Sequence, residues 1–148
     1  MKKLFLMVAF AIFSSFQQKA EACTGITLRT TNGSPVTART IEWAGNDLES
    51  RYTIVPRGYS QRSFTPSGET DGMTFTSLYG YVGLSVEKAE FVVEGINEAG
   101  LAAGLFYFPS YGEYESYSED SRESSISDLQ LVSWILSNFK SIDEMKKA

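Results

Sequence analysis

Lys19-Ala20-Glu21-Ala22-Cys23-Thr24-Gly25 is the stretch around which the chain is organised. Its only cysteine, Cys23, stands directly behind Ala20-Glu21-Ala22, the small-x-small pattern read by signal peptidase. A cut after Ala22 makes Cys23 the first residue of the mature protein. A thiol then shares a residue with a free α-amine, and that pair performs nucleophilic chemistry without another titrating side chain.

The residues upstream fit that cut. Met1-Lys2-Lys3 is basic, Leu4 to Phe13 is an unbroken apolar run of ten, and Ser14 to Ala22 is a polar lead into the cut. Ten apolar residues fall short of the roughly 20 needed to span a bilayer. The expectation is a signal peptide over 1–22, a mature part over 23–148, and an exported bacterial protein, periplasmic or secreted, with no membrane anchor. Lipidation of Cys23 is the competing reading, because lipoproteins also carry a cysteine behind their signal. Glu21, and the polar run Ser14 to Lys19 between the apolar segment and the cut, make it the weaker one.

Composition narrows the chemistry. Without residues 1–22, 10 basic side chains face 17 acidic ones, and 126 residues remain for one modest domain. An acidic chain without a basic patch argues against nucleic acid as a partner. A single cysteine excludes an internal disulfide, and an odd thiol in an oxidising compartment points to intermolecular pairing or a reactive group. The chain has no histidine, which removes Cys-His and Ser-His catalysis and the common zinc sites. No metal and no cofactor are expected. A catalytic thiol still needs a proton acceptor near neutral pH, and the α-amine, with a reference pKa of about 7.7–8.0, is the group left.

Along the chain, Cys23 to Thr30 alternates as a strand, Asn32-Gly33 signals a hairpin, and Val36 to Glu42 returns. A two-residue turn centred on Asn32-Gly33 pairs residues whose numbers sum to about 65, with Arg39 opposite position 26 and Glu42 opposite position 23. A slip of one residue would reverse their faces. Arg51 to Pro56 reads as a strand and Tyr59 to Gly72 as a polar loop. Met73 to Leu78 and Tyr81 to Ser85 read as further strands. Phe91 to Ile96 and Leu101 to Phe108 flank the turn Asn97-Glu98-Ala99-Gly100 as a second hairpin. Ser110 to Ser125, with three tyrosines and five acidic residues, reads as a surface loop or a lid. Asp128 to Phe139 has a helical stripe of Leu129, Val132, Ile135, Leu136 and Phe139, with Trp134 off it. Ser141-x-x-Glu144 is a capping box opening another helix. Strands leading into helices, with the last helix interrupted at Ala148, imply an α+β layered fold supplied in part.

Cys23-Thr24-Gly25, Arg39-Thr-Ile-Glu42-Trp43, Gly95-Ile-Asn97-Glu98-x-Gly100-Leu101 and Gly104-Leu-Phe-Tyr107-Phe-Pro109 together resemble the choloylglycine hydrolase family. That family comprises bile salt hydrolases and penicillin V acylases within the N-terminal nucleophile (Ntn) hydrolases. The resemblance implies an αββα four-layer sandwich, of which this chain is the N-terminal portion, and hydrolysis of a non-peptide C–N amide bond. It implies Cys23 as nucleophile and proton relay, and Arg39 as the permanent cation beside the thiol. Glu42 then holds the α-amino group where the family usually has aspartate, and Tyr107 is an oxyanion-hole donor where bile salt hydrolases typically have asparagine. Ile41, next to the site, is a candidate substrate-binding residue. Asn97 is better explained by its turn than by catalysis. The implied partner is a small-molecule amide, a conjugated bile salt or penicillin V, and the family often assembles as homotetramers. A lipidated or non-catalytic surface binding protein on the same fold is the alternative of another class.

Overall fold

The computed structural model describes residues 23–43, 47–107 and 112–148. The expected signal peptide therefore lies outside the described residues, as do Phe108 and Pro109 of the last motif. The chain divides into two compact units at Gly45/Asn46.

The described part of the first unit is an antiparallel hairpin of β1 (Gly25–Arg29) and β2 (Pro35–Arg39). Its turn is not the two-residue form. Thr30 N–H donates to Ser34 O and Gly33 N–H to Thr30 O, both at 2.9 Å. Gly33 takes φ +86°, while Asn32 is not among the residues at positive φ. Asn32 instead uses its side chain, whose Oδ1 accepts from Ser34 N at 3.1 Å and from the Thr30 hydroxyl. Only Gly33 is left-handed, so the loop has three residues, a turn followed by a left-handed glycine. The register shifts by one: Arg39 faces Gly25, not position 26, and Ala38 faces Ile26. Ile26, Leu28, Val36 and Ala38 share one face of the hairpin, and Gly25, Thr27, Thr37 and Arg39 the other.

The second unit is built on a four-stranded antiparallel sheet in the order β3-β6-β7-β8 (Ser50–Val55, Tyr81–Val86, Val92–Asn97, Ala102–Gly104). A two-stranded sheet of β4 (Ser60–Arg62) and β5 (Thr74–Thr76) accompanies it. β4 falls inside the stretch expected to be a loop. Its inward residue is Gln61, which lies opposite buried Phe75 and donates from Nε2 to the Tyr81 hydroxyl at 3.2 Å. A strand that buries an amide rather than a hydrocarbon carries no apolar alternation to read.

One face of the large sheet is covered by α1 (Leu131–Asn138), which follows a single 3₁₀ turn over Asp128–Gln130. Val55, Tyr81, Val92, Val132 and Leu136 form the core there. α1 buries Val132, Ser133, Leu136 and Ser137, so its inner stripe differs from the expected one and Ile135 is only partly buried. The serines are inside because they bond. Ser137 Oγ lies 3.0 Å from Ser77 Oγ, its carbonyl accepts from Leu78 N and Tyr79 N, and Ser133 Oγ donates to Glu90 O at 3.2 Å. Trp134 meets Phe139 edge to face at 5.0 Å. Gly95 is required where helix and sheet touch, since a Cβ there would stand 2.8 Å from Leu136 Cδ1 and 2.6 Å from Val82 O.

The opposite face carries Ile54, Val82 and Ile96 in one row across three strands, all exposed, with Tyr52 beside them. The sheet is thus apolar on both sides and covered by helix on one. The chain ends in a short α2 (Ile142–Met145) whose N-cap Ser141 Oγ accepts from Glu144 N at 3.2 Å. The reciprocal half of the capping box is displaced by one residue, Glu144 Oε2 accepting from Lys140 N at 2.9 Å. No helix among the described residues is long and apolar enough to cross a membrane.

Candidate active site

Four of the expected site residues, Cys23, Arg39, Ile41 and Glu42, lie on the hairpin unit. The ladder runs past the last strand residues, because Thr40 N–H donates to Thr24 O at 2.9 Å. Thr40 adds a side-chain clasp, its Oγ1 accepting from Thr24 N at 3.1 Å. Sequence reading did not single out Thr40, since a threonine in a threonine-rich strand carries no chemical signature. Its effect is to fix the backbone one residue from the thiol.

The corrected register cuts both ways: continued through Thr40 opposite Thr24, it sets Ile41 rather than Glu42 opposite Cys23, against the expected pairing. With Arg39 opposite Gly25, strand alternation sets Arg39 on the face to which Cys23 belongs, whereas pairing with position 26 would have turned it away. Arg39 is half-buried and its Nε donates to Thr40 O at 3.2 Å. A guanidinium keeps its charge at any working pH, and its field favours thiolate over thiol. Cys23 is half-buried, and its Sγ lies 3.9 Å from the backbone oxygen of Glu42, the acceptor it faces. This contact closes the hairpin's open end, joining the first described residue to the one three beyond β2.

Glu42 is half-buried. Its Oε2 is fully shielded from solvent and has no hydrogen-bond partner among the described residues. A buried carboxylate oxygen without a donor is costly, and a cation arriving beside it would relieve that cost. Ile41 is half-buried and Trp43 exposed on either side of it.

Tyr107 belongs to the second unit, three residues past β8, with half of its surface exposed. The hairpin before it is anchored by Asn97, which is 4% exposed. Its Nδ2 donates to Leu136 O (3.0 Å) and Phe139 O (2.7 Å), and its Oδ1 accepts from Ala99 N (3.1 Å) and Leu101 N (3.0 Å). Asn97 therefore serves its turn, as expected, and also ties that turn to the end of α1. Among the described residues no group of three or more histidine, cysteine, aspartate or glutamate side chains could hold a metal ion.

Comparison with known proteins follows the same residues. The family model described as linear amide C–N hydrolases, choloylglycine hydrolase family, matches residues 23–148. A bile salt hydrolase/transferase of Clostridium perfringens is 27% identical over 130 residues, 85% of this chain and 37% of that protein. A penicillin V acylase of Pectobacterium atrosepticum is 28% identical over 118 residues, 77% of this chain and 30% of that protein. A second bile salt hydrolase/transferase, from Lactiplantibacillus plantarum, is 31% identical over 71 residues, 47% of this chain and 21% of that protein. The chain thus spans about a third of the length of the two relatives it matches most fully. No solved structure matches it.

Proposed function

The chain belongs to the choloylglycine hydrolase family of linear amide C–N hydrolases, and from that premise we propose that it is the N-terminal part of an exported cysteine amidase whose nucleophile is Cys23. Removal of residues 1–22 frees the α-amine, and the amine accepts the thiol proton. The thiolate attacks the amide carbonyl and the oxyanion is held by donors that include Tyr107. The leaving amine departs with the proton from the α-ammonium, leaving an acyl-thioester. Water, deprotonated by the same amine, adds to that thioester, and collapse returns the thiol and releases the carboxylic acid. Arg39 lowers the cost of the thiolate, Glu42 holds the α-ammonium, and Ile41 lines the acyl pocket.

The observation that carries this reading is Glu42 Oε2, a shielded acceptor without a donor among the described residues, on the residue whose backbone faces the thiol of the residue that gains an ammonium on cleavage. The start of the family match at Cys23 supports the position of the cut. The bare apolar row Ile54-Val82-Ile96, opposite the helix-covered face, supports a sandwich in which a second sheet packs there and a further helical layer completes the αββα order. Conjugated bile salts are the first substrate reading. Tyr107, at a position where bile salt hydrolases typically carry asparagine, favours penicillin V or another N-acyl amide as the second. The working form is a bacterial periplasmic or secreted enzyme assembled as a homotetramer.

Intact-mass analysis of the exported full-length protein, with parallel assays on glycine- and taurine-conjugated bile salt and penicillin V, tests the reading. The expected result is a bare Cys23 terminus and turnover of at least one amide, abolished by Cys23→Ser with folding retained. A diacylglyceryl adduct on Cys23, or turnover that survives Cys23→Ser, overturns it.

A further inference from the structure

The segment expected to be a loop or lid folds back on its own unit. Ser125 O accepts from Met73 N at 2.9 Å, Ser127 N donates to Ser63 Oγ at 2.8 Å, and Arg122 pairs with Asp71 at 3.5 Å. Between this segment and the Thr65-Pro66 turn lies a cavity of about 580 Å³, open on one side. Small-molecule sites typically enclose about 300–1,000 Å³. Phe64, Pro66 and Ile126 supply apolar wall, Tyr114 and Tyr117 supply rings, and Glu115 and Asp128 supply carboxylates.

The hydrogen-bond accounting of the wall is one-sided. Ser124 and Ser125 both donate their hydroxyl protons to Ser121 O (2.9 and 2.8 Å). Ser127 donates to Asp128 Oδ1 (3.3 Å) and Thr65 to Asp71 Oδ1 (2.7 Å). A hydroxyl whose proton is engaged offers only lone pairs, and an ionised carboxylate never offers anything else. No lysine or arginine lines the cavity among the described residues, although Lys88 Nζ stands 5.0 Å from the Phe64 ring centroid and Arg122, paired with Asp71 and Glu119, acts on the Tyr117 phenol. With the Tyr114 hydroxyl bonded to Asp128 and that of Tyr117 to Glu119, the wall presents mainly acceptors, two negative charges and aromatic rings, whose faces attract cations. An anion is repelled there. A neutral polyol needs donors and acceptors alike, and most of the aliphatic hydroxyl donors are already committed.

We propose that this cavity binds an organic ammonium ion, a small primary amine with an alkyl body against Phe64 and Ile126 and its charge between Asp128 and the tyrosine rings. The wall contains none of Cys23, Arg39, Glu42 and Tyr107, although Tyr107 lies near enough to act on the Tyr114 phenol, and amine binding is read independently of amide turnover.

Calorimetric titration of the full chain with cadaverine at low salt tests it, beside 1,5-pentanediol and glutarate as the uncharged and anionic counterparts. Cadaverine binds saturably and the other two do not. Asp128→Asn keeps the Oδ1 that accepts from Leu129 N while removing the charge, and weakens cadaverine about tenfold. Glu123→Gln, in the same segment but outside the wall, leaves binding unchanged, and so does Cys23→Ser. If circular dichroism shows Asp128→Asn to be unfolded, Glu115→Gln takes its place with the same expected loss. Absence of saturable binding at millimolar cadaverine, equal binding of the diol, or equal losses in the wall and control variants overturns the proposal.

Discussion

Asn97 fills all four hydrogen-bonding positions of its amide, two from the turn and two to the end of α1. An alanine there strands two carbonyls and two amides in a buried site, each costing on the order of 1 kcal/mol or more. Asn97→Ala should lower stability by roughly 2–4 kcal/mol, read as a fall in the urea midpoint at constant m-value. Asn97→Asp should also destabilise near neutral pH, because an acceptor-only carboxylate keeps the Ala99 and Leu101 bonds but faces the Leu136 and Phe139 oxygens. A loss confined to the alanine variant would mean that the helix contacts carry no weight. At the site, the testable residue is Glu42. A carboxylate beside an ammonium favours the charged form, so Glu42→Gln should lower the pKa of the processed α-amine. Its base form is then reached at lower pH, and the acid limb of the kcat/KM profile moves in the acidic direction. An unmoved limb would detach Glu42 from the amine.

The elements differ in how openly the chain announces them. Strands Ser50–Val55 and Tyr81–Val86, and the turn at Asn97–Gly100, follow from alternation and glycine placement within a residue or two. The hairpin at the site was legible as a hairpin but not in register. Asn-Gly is compatible with a two- or a three-residue loop, and Asn32 settles it through a side-chain bond that no propensity encodes. β4 and the inner stripe of α1 were hidden for another reason: Gln61, Ser133 and Ser137 are buried by hydrogen bonds, and a search for apolar spacing passes over them. The Tyr81 hydroxyl sits where helix and sheet meet, and burial raises its pKa above the usual phenol value, with partners including Gln61. For a phenol this means that the fold holds the neutral form. The contribution is fully present below the unfolded pKa, about 10, and is lost as pH rises through the higher folded value. Stability should therefore fall more steeply between about pH 9 and 11 in the wild type than in Tyr81→Phe. Parallel slopes would place the alkaline loss elsewhere.

At the scale of the molecule, the sheet's two faces set the terms. α1 covers one, and the other leaves Ile54 79% exposed, Tyr52 86%, and Val82 and Ile96 more than 40%. Scattered apolar residues on a surface are ordinary, but a row aligned across three hydrogen-bonded strands is a face built to be covered. The chain matches only about a third of the length of its relatives, so a covering layer supplied by further sequence is consistent with what is seen. The 148-residue chain should then bind a hydrophobic reporter dye in its native state, well below its unfolding midpoint. Ile54→Lys with Ile96→Lys should suppress that signal while leaving the urea midpoint within about 0.5 kcal/mol, because neither side chain contributes to the helix-covered core. A wild type that ignores the dye, or a double variant that unfolds, would show that the face is already occupied within this chain. The sandwich would then lose its strongest structural support.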